Sequence, residues 1–175
     1  MSNVQNRVPV IQFVGYSNSG KTSLVVAIIE ALQGMGIKVG VIKHDGHDFE
    51  MDHEGKDTWK FRQAGASLVA IQSATKTAYL EQGSVALDKL IARMEEGGAE
   101  LIIIEGYKRE GYPKIAVIRE AKDVYLLDQI TNVLGVASWI ELTNLSIPVC
   151  HVDDQEKVLQ MMLVHREKFY ENKRK

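Results

Sequence analysis

Short blocks of consecutive apolar residues alternate along this chain with segments whose apolar residues recur every three or four positions. The blocks at 10–14, 38–43, 67–72, 101–104, 114–119, 133–137 and 149–152 read as β-strands, and 76–80 reads as a short strand pairing beside 67–72. Leu101-Ile102-Ile103-Ile104 is apolar without interruption, the pattern of a central strand covered on both faces. Between the blocks, Leu24, Ala27, Ile28, Ala31 and Leu32 repeat at helical spacing, with Gly34 or Gly36 as the stop. Val25, Val26 and Ile29 make the other faces of that helix apolar too, so it is expected to be well buried. Asp57 is expected to cap a short helix running to Ala64, and Leu87, Leu90, Ile91 and Met94 mark a helix that Gly97-Gly98 ends. Val158, Met162, His165 and Phe169 line one face of a last helix, opened by Asp153 and Glu156 as a capping pair. Strands alternating with helices predict a three-layer α/β fold, a mostly parallel sheet with helices on both faces. No repeat, low-complexity tract or linker interrupts residues 1–175, so one domain is expected.

Composition narrows the classes without choosing one. Hydrophobic residues make up 45% of the chain and charged residues 25%, as in ordinary globular proteins. A net charge of −2 gives no electrostatic case for nucleic-acid binding, and the basic tail from Arg166 onward is mixed with Glu167 and Glu171. Cys150 is the only cysteine, so no intrachain disulfide can form. No run approaches the ~20 apolar residues that span a membrane, and residues 1–8 lack the apolar centre of a signal peptide. A cytoplasmic protein that engages neither nucleic acid nor membrane is expected.

Gly15-Tyr16-Ser17-Asn18-Ser19-Gly20-Lys21-Thr22 spells G-x-x-x-x-G-K-[ST], and it falls between the first strand and the first helix. Glycines let such a backbone curl so that successive N–H groups face phosphate oxygens, and the helix aims its positive end at the same anion. Gly15, Ser17, Asn18, Ser19, Gly20, Lys21, Thr22 and Ser23 are therefore the expected phosphate-binding residues. Lys21 would reach the β/γ-phosphates and the Thr22 hydroxyl would ligate Mg²⁺. The motif in this setting predicts a nucleotide site and a fold of the P-loop NTPase type.

A Mg²⁺–nucleotide also needs an acidic group from a neighbouring strand end. Glu105 ends the most apolar strand, and Asp45 follows the second strand directly; both are candidates for metal binding and, with Lys21, for catalysis. Residues 43–57 are dense in histidine and carboxylate but match no compact zinc spacing. They suit either a loop closing over phosphates, with charge from Lys43 and Lys56 and hydrogen bonds from His44 or His47, or a plain solvated loop. No Asn-Lys-x-Asp run exists to read guanine. Asn144, Asp153 and Asp154 are the polar groups near that position, and guanine against adenine stays open on residues alone. No glutamine stands ready to orient a water and no arginine finger is evident, although Arg62 or Arg109 could serve from a partner copy, so hydrolysis is expected to be slow.

Four segments together resemble the family of molybdopterin-guanine dinucleotide biosynthesis protein B. They are the P-loop G-Y-S-N-S-G-K-T, K-H-D-G-H-D-F-x-x-D-x-x-G-K-D at 43–57, F-R-x-A-G-A at 61–66 and L-I-I-I-E-G-Y-K at 101–108. The resemblance implies a GTP-binding homodimer with weak Mg²⁺-dependent GTPase activity, assisting the attachment of GMP to molybdopterin. Its implied partners are a molybdopterin guanylyltransferase and other molybdenum-cofactor proteins. By position, Gly15 to Thr22 would hold phosphates and Mg²⁺, Glu105 is the strand-end acid, and 43–57 is the family's loop near the phosphates. A P-loop small-molecule kinase and a nucleotide-dependent scaffold remain the alternatives.

Overall fold

The computed structural model describes residues 7–46 and 48–174, which divide between two compact units, Met1–His44 with Leu87–Lys175, and Asp45–Ala86. In chain order the elements are β1 (Val10–Val14), α1 (Lys21–Gly34), β2 (Val39–Lys43), α2 (Asp57–Gln63), β3 (Leu68–Gln72), β4 (Thr77–Glu81), α3 (Leu87–Glu96), β5 (Leu101–Glu105), β6 (Lys114–Ile118), a 3₁₀ segment (Ala121–Gln129), β7 (Val133–Ser138), β8 (Val149–His151) and α4 (Gln155–Lys173). Six strands of the first unit form one sheet in the order β2-β5-β1-β6-β7-β8, every pair parallel. Among the described residues no helix is long and apolar enough to cross a membrane.

Both faces of this sheet are covered, as the uninterrupted apolar blocks require. On one face Ile11, Phe13, Leu101, Ile103, Ile115, Val117 and Ala137 pack with Leu24, Ile28 and Leu32 of α1 and Val158 and Met162 of α4. The other face has two clusters. Val10, Ile42, Ile102 and Ile104 meet Ile91 of α3, while Val14, Ala116, Ile118 and Val136 meet Leu126 and Ile130. The three-layer α/β reading is confirmed. Helix α1 is less buried than its composition suggests, because Val26 lies about 200° round the helix from Leu24 and faces out.

Gln12 sits between those two clusters, at the centre of β1, and is fully buried. Its Nε2 donates to the carbonyls of Gly106 (3.1 Å) and Tyr107 (2.8 Å), where the β5–β6 connection crosses β1. Parallel strands usually need a crossover of a dozen or more residues. This one is shorter because Phe13 lies opposite Glu105 on one side and Ile115 on the other, so β6 begins near the level at which β5 stops. Lys114 pins the far end of the loop: its buried ammonium donates to the carbonyls of Glu110 and of Tyr112, the latter at 2.7 Å.

Two local expectations are corrected. Asp57 is the first helical residue of α2, not its cap; Lys56 precedes it without a side-chain cap. The entry is held instead by Asp52, whose Oδ1 accepts from Thr58 Oγ1 (2.8 Å) and His53 N (3.1 Å). Helix α4 is capped by Asp154 rather than Asp153, because Asp154 stands three residues before the Lys157 N–H it accepts from at 3.2 Å. The 3₁₀ segment shows no 3.6-residue period and escaped the pattern, although Glu120 and Asp123 form its reciprocal capping box.

The second unit contains α2 and the antiparallel hairpin β3–β4, paired from Leu68–Glu81 to Gln72–Thr77. The strands expected at 67–72 and 76–80 are therefore present and paired.

Burial pulls the Lys114 amine below its ordinary value of 10.5, and the nearby Glu110 charge offsets part of that. In alkaline solution the unfolded chain therefore binds more protons at this site than the folded one, so the site makes stability rise as pH climbs toward 10.5. Lys114→Met should flatten that slope and, by stranding two loop carbonyls, destabilise the fold by about 1–3 kcal/mol. Urea unfolding of both proteins at pH 7 and 9.5 checks both effects; equal midpoints at each pH would remove Lys114 from the account.

Candidate functional site

The chain leaves β1 at Gly15 with almost no room: a Cβ there would stand 2.7 Å from Ser19 Oγ and 2.7 Å from the Val117 carbonyl of β6. Asn18 (φ 60°) and Gly20 (φ 91°) then take left-handed backbone, which curls the loop before α1 begins at Lys21. Helix α1 has no side-chain cap and no acidic residue in its first turn, so neither competes for its opening N–H groups. Ser19 is buried inside the curl, whereas Ser17, Asn18, Thr22 and Ser23 reach the surface.

Side chains converge on this loop from the strand ends. Lys21 Nζ donates to the Tyr16 carbonyl (2.7 Å) and to Ser19 Oγ (3.3 Å). The Thr22 hydroxyl lies 3.0 and 3.1 Å from the two carboxylate oxygens of Glu105, which is only 8% exposed. Lys43, ending β2, stands in register with Glu105, and the next N–H, that of His44, donates to the Glu105 carbonyl at 2.9 Å. The His44 ring stacks on Tyr107 with centroids 4.3 Å apart, and the Lys108 ammonium lies 5.2 Å from the centre of the Tyr16 ring.

These charges act on one another. Desolvation lowers the Lys21 pKa, Glu105 works in the opposite direction, and Lys43 and Lys108 lower it further. Three ammonium groups thus share one neighbourhood with the Glu105 carboxylate, an arrangement that favours a multiply charged anion. Among the described residues no group of three or more His, Cys, Asp or Glu side chains could hold a metal. The Thr22 hydroxyl and Glu105 carboxylate are hard oxygen donors suited to Mg²⁺, an ion that completes its shell with phosphate oxygens and water rather than an all-protein cage. The residues present therefore fit Mg²⁺ carried with a phosphate ligand.

Of the expected set, the structure brings together Gly15, Ser19, Gly20, Lys21, Thr22, Lys43, His44 and Glu105. Asp45 belongs to the second unit. Arg62 is likewise in the second unit, 3.7 Å from Asp52, and His47 lies outside the described residues.

Two residues were missed. Trp139 Nε1 donates to the Ser19 carbonyl (2.8 Å), and the Arg119 guanidinium donates to the Asn18 carbonyl (2.5 Å) while lying 5.6 Å from the Trp139 ring centre. Each directly follows a strand, β6 and β7, at the sheet end where ligands of open α/β folds bind. That topological rule was the available signal.

A parallel sheet with β1 at its centre, opening through G-x-x-x-x-G-K-T into α1, defines an α/β protein of the P-loop NTPase type. A family model described as molybdopterin guanine dinucleotide synthesis protein B matches residues 10–139. The chain is 35% identical over 137 residues to the molybdopterin-guanine dinucleotide biosynthesis adapter protein of Haemophilus influenzae, spanning 77% of each. To the adapter protein of Escherichia coli it is 32% identical over 157 residues, 85% of this chain and 88% of that one. The crystal structure of Bacillus subtilis MobB superimposes with a TM-score of 0.79 at 28% identity, covering 89% of this chain and 96% of the other. The chain belongs to the MobB family.

Glu105→Gln removes the one charge that opposes the lowering of the Lys21 pKa. The Lys21 amine should then titrate at lower pH and acylate faster at pH 8, read by competitive acetic anhydride labelling and peptide mass spectrometry. Unchanged labelling in the variant would mean that Glu105 does not set the charge state of Lys21.

Proposed function

We propose that this chain is a nucleotide-dependent adapter of molybdopterin guanine dinucleotide biosynthesis. It binds GTP with Mg²⁺ at the P-loop and hydrolyses it slowly while assisting transfer of GMP to molybdopterin by a partner guanylyltransferase. The observation that carries this reading is the Thr22–Glu105 pair beside Lys21. The loop N–H groups and Lys21 bind the phosphates, with Gly15, Ser17, Asn18, Ser19, Gly20 and Ser23 shaping or lining the cradle and Lys43 and His44 closing its edge. Thr22 and Glu105 would hold the metal, which when bound neutralises phosphate charge. Guanine is favoured over adenine by the guanine dinucleotide in the family's name. The lone thiol, buried Cys150, suits a cytoplasmic setting.

Calorimetric titration with GTP, ATP and GDP, with and without Mg²⁺, tests the assignment. GTP should bind more tightly than ATP and require Mg²⁺ for full affinity. Lys21→Ala should abolish binding, and Glu105→Gln should erase the Mg²⁺ dependence. Hydrolysis by the isolated protein should stay below about 1 s⁻¹, since the segment 43–57 that follows β2 carries no glutamine to orient an attacking water. Tighter ATP binding would overturn the base assignment, and fast turnover would overturn the adapter role.

We assign the homodimer interface of this reading to the second unit. Phe49, Met51, Phe61, Leu68, Ile71 and Tyr79 are all more than half exposed there, a concentration of apolar surface that a second copy would cover. Tyr79→Glu with Leu68→Glu, on one face of the hairpin, should yield a monomer by sedimentation while retaining GTP binding; a dimer surviving both changes would move the interface elsewhere.

A further inference from the structure

The loop carbonyls that must point away from a bound anion are held from outside by two side chains. The Ser19 carbonyl accepts the Trp139 indole N–H at 2.8 Å, and the Asn18 carbonyl accepts the Arg119 guanidinium at 2.5 Å. The two side chains also brace each other, Arg119 lying 5.6 Å from the Trp139 ring centre, and the Trp139 ring is what a Cβ at Gly20 would meet, at 3.1 Å. The His151 ring, at the end of β8, lies at 76° to the Trp139 ring with their centroids 6.2 Å apart. We propose that Arg119 and Trp139 are positioning residues of the phosphate site: Trp139 turns the 19–20 peptide so that the Gly20 N–H stays aimed at phosphate, and Arg119 fixes the adjoining 18–19 peptide, whose Ser19 N–H closes the curl onto the Tyr16 carbonyl at 3.3 Å. The inference rests on the nucleotide reading above and adds to it a second support, carried by β6 and β7, on the side of β1 away from Glu105.

The physical reason is the geometry of a peptide. Its N–H and C=O point in opposite directions, so fixing an outward carbonyl fixes the inward N–H of the next residue. A curled loop with two left-handed residues has other conformations available. Holding its carbonyls lowers the ordering required when an anion binds. The contribution should therefore depend on phosphate and not on the base.

The protein contains two tryptophans, Trp59 and Trp139, and Trp59 lies in the second unit. Trp59→Phe therefore leaves Trp139 as the sole indole, reporting on the loop. Its emission should change in proportion to occupancy when GTP or inorganic triphosphate is added with Mg²⁺. In the full-length chain, Trp139→Phe, which keeps a ring and deletes the N–H, and Arg119→Gln should each weaken GTP and inorganic triphosphate by the same factor, about five- to tenfold, one hydrogen bond's worth. Arg119→Lys should recover part of the loss. Because the two residues touch, the double variant should lose less than the product of the single losses.

Loss of GTP affinity with triphosphate affinity unchanged would overturn the proposal and put Trp139 against the base. Unchanged affinity for both ligands in both variants would also overturn it, as would silent Trp139 emission on saturation, a reading that needs no substitution near the site. Wild-type protein that binds neither ligand by calorimetry would remove the nucleotide reading itself, and that failure is seen before any variant is made.

Discussion

Phe13 of β1 lies opposite Glu105 of β5 on one side and Ile115 of β6 on the other. That register is the constraint on which the site depends. It ends β5 at the height of the first turn of α1, so the Glu105 carboxylate meets Thr22 without any long side chain having to reach. It also lets β6 start almost level with the end of β5, so a short loop can pass over β1 where a helix would otherwise be needed. The buried amide of Gln12 and the buried ammonium of Lys114 then become necessary. A loop lying on the apolar face of a sheet brings backbone carbonyls out of water, and each stranded one costs about 1–3 kcal/mol. Two polar side chains in otherwise apolar strands accept that load.

The same register sets the electrostatics. Lys43 is level with Glu105 on one flank, and Lys108 follows it within the crossover loop, so lysines arrive on both sides of one carboxylate. Lys21 is consequently pulled toward neutrality by burial and by two like charges, with Glu105 opposing them. An arriving polyanion relieves that repulsion, while a lone cation at Glu105 would meet it. Under the proposed nucleotide reading, metal and phosphate would therefore bind together more readily than either alone, as Mg²⁺ is ordinarily held, by one or two carboxylates plus substrate oxygens.

Much of this was legible in the chain. The P-loop, the buried strand ending in Glu105 and the alternation of elements are local patterns, and each survived folding. What was not legible depends on pairs far apart in sequence. Arg119 and Trp139 look like ordinary strand-end residues until the sheet order sets β6 and β7 beside the loop that follows β1. Gln12 and Lys114 read as blemishes in apolar strands, because nothing local shows that a crossover loop will need donors there. Asp153 and Asp154 are equally good caps by composition, and only the start of the last turn of backbone before α4 decides between them. Asp57 failed as a cap for a similar reason: Asp52, five residues earlier, had already tied down the entry to α2.

The second unit obeys different physics. Its hairpin buries Val69 but leaves Leu68, Ile71 and Tyr79 in water, and a two-stranded hairpin packed on a single short helix is marginal by itself. Covering a side chain of that size contributes roughly 1.5–3 kcal/mol, so three or four covered residues outweigh the intrinsic instability of such a unit. Under the dimer reading, association and the ordering of this unit are therefore one equilibrium. Dilution should loosen the hairpin as it separates the copies, because whatever binds only the ordered form stabilises it by mass action. The P-loop unit, whose sheet is covered on both faces by its own helices and 3₁₀ segment, has no such dependence, and its ligand affinity should be insensitive to protein concentration.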